Sequence, residues 1–245
     1  MPSISIKAEP ILQILSFKIT NTLLLCWIVI IVTLILALRY SRESSLQKKS
    51  GFFYFVQTIL DSIYSLFQSV MGARTNYFFP LLLSFLLYIL LQNWFGLFPG
   101  VGSIVVKINE GHKFINVPLL RGNNADLNST FALAIISVVM IQFYGIKFLG
   151  FKQYIKKFID LTNPINFFLG FLEIISEISK VLSFSFRLFG NIFAGEVLIT
   201  IVAFLVPVLA TFPFLILEVF VGFVQALVFS MLTAVFISGA IEAHN

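Results

Sequence analysis

Residues 213–241, PFLILEVFVGFVQALVFSMLTAVFISGAI, carry one ionisable side chain, Glu218, in 29 positions. Such a stretch has no polar face to offer water. In lipid, a helix can satisfy all of its backbone N–H and C=O groups internally. A transmembrane helix needs about 20 mainly apolar residues, and four more stretches qualify, at about 21–38, 77–98, 129–149 and 164–206. Composition follows from this pattern: 11% of the 245 residues are charged, against roughly 25% in a soluble domain. A soluble globule and a disordered chain are excluded, and the single Cys26 excludes a disulfide scaffold. The expected fold class is an all-α polytopic membrane protein, with residues 1–245 forming a single membrane domain.

Local signals sharpen the five spans. Lys18 precedes the first, but the run is too long for a signal-peptide core and no small-residue cleavage site follows, so it reads as a retained span. Pro99-Gly100 closes the second, and Asp126, Leu127 and Asn128 suit a helix start before the third. The last two spans, 164–206 and 213–241, each exceed 25 residues and must tilt or project beyond the hydrocarbon. Pro207 and Pro213 bracket an uncharged link between them, which predicts a long tilted antiparallel hairpin. Residues 51–72 differ, because Gln57, Asp61, Ser62, Ser65 and Gln68 interrupt their apolar pattern and a basic run precedes them. This predicts an amphipathic helix at the membrane interface.

Charge placement orients the chain. Arg39, Arg42, Lys48, Lys49 and Arg74 follow the first span, and Lys147, Lys152, Lys156 and Lys157 follow the third. The segment after the second span carries Lys107, Lys113 and Arg121, and the hairpin link carries no charge. The positive-inside rule then puts the N-terminus outside and the C-terminus inside. A sixth span at 51–72 would divide the two basic segments between opposite sides. The net charge of +5 therefore reads as membrane orientation, with lipid as the surrounding partner and no nucleic acid.

Covalent catalysis has no visible home. There is no glycine-rich phosphate loop, and the only histidines are His112 and His244, which excludes an HExxH zinc helix. No metal, cofactor or ATP site is expected. What stands out is a short set of ionisable residues inside the last two spans. An arginine near the bilayer centre costs about 2.5–3.5 kcal/mol on insertion scales and usually faces a pathway or a partner. Arg187 lies 14 residues beyond Glu173, about 21 Å along a helix, so the two cannot pair within it. Glu177 is also too far. Antiparallel pairing of the two spans puts Glu196 and Glu218 at a similar outer depth and Gln225 near the level of Arg187. Glu218 and Gln225, seven apart, share a face, whereas Arg187 and Glu196, nine apart, point to opposite faces. Outer carboxylates can relay protons inward, while Glu173, Glu177 and Ser183 open toward the inside. A fixed cation between two half-paths would block direct leakage, and arginine stays protonated there where lysine need not. The chain lacks a carboxylate at the depth of Arg187 to carry the proton across, which points to a carrier on another chain.

The stretch SFSFRLFGNIFAGE, 183–196, closely resembles the signature of subunit a of F-type ATP synthases. QNWFGLFPG (92–100), DLNSTFALA (126–134) and FVQALVFSMLTAVFISGAIEAH (223–244) resemble further segments of that family, whereas the first 75 residues match in pattern alone. The resemblance implies a stator subunit whose Arg187 faces a ring of c subunits, each bringing a carboxylate past it. It implies that Ser183, Asn191 and Gln225 line the rotor interface and half-channels, and that Glu196 is the outer acid. Glu218 occupies a site that holds histidine in some bacterial members and glutamate in others, so an acidic pair with Glu196 that shares a proton is expected. Glu173 and Lys180 match inner-side positions and Asp126 an outer-side acid. The implied partners are the c-ring and the subunit b peripheral stalk, and a bacterial plasma membrane fits better than an organelle. The loop 101–125 matches no motif of the family, and His112 in it reads as an exposed loop residue. The rival readings are a secondary transporter, which expects repeats and broken helices, and a purely structural membrane anchor, which leaves Arg187, Glu196 and Glu218 without a role.

Overall fold

The computed structural model describes residues 9–14, 17–98, 100–102, 104–110, 113–159, 163–206, 209 and 211–242. Pro99, His112, Pro207 and His244, each used in reading the sequence, lie outside the described residues. Seven helices dominate: α1 (Asn21–Ser44), α2 (Gly51–Met71), α3 (Thr75–Gly96), α4 (Leu127–Leu149), α5 (Phe151–Lys156), α6 (Pro164–Leu205) and α7 (Thr211–Ile241). Among the described residues, five stretches are long and apolar enough to cross a membrane, counting α2 and α3 with the turn between them as one. The protein is an all-α polytopic membrane protein.

Helix limits follow local chemistry. The Thr20 and Ser50 side chains accept from the third N–H beyond them and open α1 and α2. Asp126 opens α4 in the same manner, accepting from Asn128 N at 3.1 Å. A 3-10 turn over Gly72–Arg74, with Gly72 at φ +56°, separates α2 from α3. α1 continues past the expected end at 38 and carries Arg39 and Arg42 on its last turns. α7 starts at Thr211, which puts Pro213 inside its first turn, where a missing N–H costs nothing. α2 is two-faced: Phe53, Phe67 and Met71 are buried, while Asp61, Ser62, Ser65 and Gln68 are exposed or nearly so.

α7 buries most of its enclosed positions in its C-terminal half, from Gln225 to Ile241. It lies chiefly against α3 and α4, while α6 lies chiefly against α4 and touches α7 along the hairpin. The core joins Leu82, Leu86 and Ile89 of α3 with Phe229, Ala234 and Ile237 of α7, closed by Phe184 and Leu188 of α6. Lipid tails are as apolar as these side chains, so buried hydrogen bonds and close packing must hold the helices in register. Ser137 of α4 bonds Thr233 of α7 at 2.9 Å, and Thr130 of α4 lies 3.3 Å from Ser185 of α6.

The segment 101–125, a loop by its sequence pattern, contains a hairpin of β3 (Val105–Glu110) and β4 (Lys113–Pro118), paired antiparallel from Val105↔Pro118 to Glu110↔Lys113. Its Val and Ile positions favour extended backbone, a signal masked by the longer apolar runs around it. A second hairpin, β1 (Pro10–Ile14) with β2 (Phe17–Thr20), precedes α1. The β3–β4 hairpin anchors the chain on its way to Arg121: Leu119 N bonds Ile104 O at 2.7 Å and Gly102 N bonds Leu120 O at 3.1 Å.

Candidate functional site

Ser183, Arg187 and Asn191 recur every four residues on α6 and form one exposed stripe. The Arg187 guanidinium donates from Nη2 to Ser183 Oγ at 3.1 Å. Among the described residues no carboxylate forms an ion pair with it. A permanent cation therefore stands on an apolar helix surface beside exposed Leu182 and Phe186. One turn further along, Asn191 Nδ2 donates to Gln225 Oε1 at 2.7 Å, which ties the stripe to α7.

Beyond that turn lies a cavity of about 340 Å³ between α3, α6, α7 and the segment before α4. Glu196 and Glu218 both line it, so the two carboxylates share one space. Glu218 is buried and has no hydrogen bond or ion pair among the described residues. It packs so tightly on Gly195 that a Cβ there would collide with its carboxyl group. The glycine of the AGE triplet is thus the space that Glu218 occupies. Glu196 is in a different situation. The buried Arg121 side chain meets it with Nη2 at 3.1 Å from Oε2 and Nε at 3.2 Å from Oε1. A cation thus stands on Glu196 and none, among the described residues, on Glu218.

The sequence pattern marks Arg121 only as a loop charge. Its immediate signal is weak: a lone arginine in a segment otherwise poor in cations, followed by Gly122. Gly96 of α3 lets the loop close on that helix, since a Cβ there would lie 3.2 Å from Gly122 Cα. Asn124 Nδ2 donates to Asn93 Oδ1 at 2.6 Å, and Asn93 Nδ2 in turn donates to Gly222 O at 2.9 Å. This amide chain fastens the Arg121 segment through α3 to α7. Gln92, at the wall of the same cavity, is fully buried with both amide atoms unpartnered among the described residues. An orphaned amide beside a cavity of this size is the arrangement that holds ordered water.

A second cavity, about 250 Å³, lies on the other side of Arg187 along α6. Ser176, Ser179, Lys180 and Ser183 line it together with Arg187 and Phe236. Lys180 reaches Glu177 at 2.7 Å and sits 4.7 Å over the Phe236 ring. Glu173 and Glu177, expected to open the inner side, do not line this cavity: Lys157 holds Glu173 at 2.8 Å and Lys180 holds Glu177. Nearby, Tyr154 of α5 is buried against Gly145 and donates to Gln142 Oε1. Burial, reinforced by the negative charges of Glu177 and Glu173, pushes its phenol up to about 12. Asp126 is buried as the cap of α4 and does not line the cavity that Glu196 and Glu218 share, although Ala125 beside it does.

The arrangement is two separate recesses along one helix with a cation between them. From Arg187 to Glu196 the axial distance is about 13 Å at 1.5 Å per residue. Such an arrangement can hold charge and water on each side while opposing the passage of a free cation along α6.

A family model described as ATP synthase A chain matches residues 23–238. ATP synthase subunit a of Syntrophobacter fumaroxidans is 34% identical over 220 residues, 89% of this chain and 83% of that one. The protein of the same name from Legionella pneumophila subsp. pneumophila is 30% identical over 227 residues, 93% of this chain and 89% of the other. That from Trichlorobacter lovleyi is 31% identical over 242 residues, 98% and 96% of the two chains.

Proposed function

The chain belongs to the ATP synthase A chain family, and from that premise we propose that it is the proton-translocating stator subunit of the membrane sector. It offers two offset half-channels to a turning ring of small subunits, each with a membrane-embedded carboxylate. The observation that carries this reading is Arg187: exposed, without a carboxylate partner among the described residues, and standing between two cavities at different levels of α6. A carboxylate arriving from another chain is the counter-charge that such a cation lacks.

In the synthesis direction a proton enters the outer cavity, passes by way of Glu218 and bridging water, and loads a ring carboxylate near Gln225 and Asn191. The ring turns, and that carboxylate meets Arg187 from the other side and releases its proton into the cavity lined by Ser183, Ser179 and Ser176. The guanidinium favours the ionised carboxylate in front of it and repels hydronium, which keeps the half-channels from joining. A continuous wet path would dissipate about 2.3 kcal/mol per charge for each 100 mV. The chain performs no covalent step. α2 lies along the inner interface with its polar face in the headgroups, and it offers docking area to the peripheral stalk. The relatives from Legionella, Syntrophobacter and Trichlorobacter are bacterial proteins, which supports the bacterial plasma membrane as its location. The unbroken course of α6 over Pro164–Leu205 argues against a secondary transporter built on broken helices.

Arg187→Ala in the assembled synthase is the test. Inverted membrane vesicles are expected to lose ATP-driven acidification while the complex remains assembled. Normal acidification by an assembled Arg187→Ala complex would sink the reading.

A further inference from the structure

We propose that Arg121 is a positioning residue of the outer half-channel: it holds the Glu196 carboxylate against one wall of the cavity and leaves the unpartnered Glu218 to carry the proton. The inference rests on the proton-translocation reading and adds a residue to it.

Burial is the first observation. Arg121 is 5% exposed although it sits in the segment between β4 and α4. A guanidinium cannot leave water without a counter-charge and several acceptors. Glu196 provides the charge through a side-on contact in which Nε and Nη2 both reach the carboxylate. This two-point geometry orients the carboxylate as a single-point lysine amine would not. The Glu196 side chain remains 36% exposed and faces the cavity, so the contact positions the group without sealing it off.

The segment that carries Arg121 is itself held on three sides. The β3–β4 hairpin fixes its start, Gly122 packs on Gly96, and Asn123 Nδ2 and Asn124 Nδ2 donate to Tyr88 Oη and Asn93 Oδ1 at 3.1 and 2.6 Å. This degree of support exceeds what a surface loop charge needs. Its effect is to deliver one cation to one carboxylate at the cavity wall. The two carboxylates thereby become unequal, because one has a fixed cation and the other has Gly195, the cavity and no partner among the described residues. A relay needs such an inequality. Two equivalent acids would hold a proton between them, whereas a pinned carboxylate next to a free one lets the proton dwell on the free one and move on.

A double-mutant cycle in the assembled synthase tests this, with ATP-driven acidification of inverted vesicles as the readout and assembly measured alongside. Arg121→Gln is expected to slow acidification about tenfold, a coupling within the range for directly paired charges. With Glu196→Gln already present, Arg121→Gln is expected to have almost no additional effect, because the group it positions is gone. A merely structural Arg121 would slow acidification by the same factor in both backgrounds, and that result overturns the proposal, as does a wild-type rate in Arg121→Gln. If Arg121→Gln fails to assemble, the cycle is run with Arg121→Lys, which keeps the charge and loses the two-point contact. A loss of about threefold that disappears in the Glu196→Gln background supports the proposal, and a loss that persists there, or no loss at all, overturns it. Arg187→Ala is measured in the same vesicles. If it acidifies normally, the translocation reading fails; if it does not, the Arg121 outcome bears on the positioning role alone.

Discussion

Gly195→Ala separates packing from transport with one methyl group. A Cβ at this position would collide with the Glu218 carboxyl group, whereas ordinary contacts with a Cβ lie at 3.4–4 Å. The carboxyl must therefore retreat by about an ångström. Two terms decide the stability. Replacing glycine by alanine inside a helix gains about 1 kcal/mol in helix propensity. Turning the end of a flexible glutamate off its preferred rotamer costs about 0.5–1.5 kcal/mol, and the adjoining 340 Å³ cavity gives it somewhere to go. The sum is near zero, so the variant is expected to assemble at wild-type levels with little change in melting temperature. Transport does not share that tolerance, since an ångström of misplacement at a reacting group can cost on the order of a hundredfold. Acidification is expected to fall by at least about tenfold. Wild-type acidification in an assembled Gly195→Ala complex would refute the view that the position of Glu218 governs the outer path. Loss of assembly would contradict the steric account, because it would mean that the cavity cannot receive the displaced carboxyl.

The supporting structure yields two more expected outcomes. Asn93→Ala removes both the donor to Gly222 O and the acceptor for Asn124 in a buried site, and should cost about 1–3 kcal/mol; the check is the thermal stability of the detergent-solubilised complex against Asn93→Asp, which keeps the acceptor. For Tyr154, the phenol is pushed up to about 12 from an ordinary value of 10.0, so above pH 10 the unfolded chain loses a proton that the folded chain keeps. The folded state then binds more protons than the unfolded state, and stability should fall as the pH rises from about 10 to about 12. Tyr154→Phe should remove one late-titrating group from the tyrosinate absorbance, and an unchanged titration in that variant would contradict the assignment.

Much of the fold is legible because lipid leaves the backbone few options. Nearly charge-free runs of this length must be helices, and the cap at Asp126 is visible as a residue type. An antiparallel hairpin brings Glu196 and Glu218 to a common depth, and the structure puts both at one cavity wall. Gln225 and Asn191 meet by a hydrogen bond one turn along α6 from Arg187. The β3–β4 hairpin is not legible, because its strands are six residues each and short Val and Ile runs resemble fragments of apolar helix. Depth alone assigns Glu173 and Glu177 to the inner opening. Depth carries no information on neighbours such as Lys157, which comes from a separate segment.

Residue order alone establishes that this chain is a set of apolar helices with Arg187, Lys180 and a few acids placed where lipid would penalise them. That follows from transfer energetics, which depend on residue type and position along a single helix. Which partner each charge meets is a matter of tertiary packing. Arg121 finds Glu196 across 75 residues, Glu218 finds the gap left by Gly195 across a helix interface, and Arg187 is left facing outward. Contacts of that kind depend on helix rotation and on how closely a loop can approach, and small residues such as Gly96 and Gly195 set both through the volume they leave free.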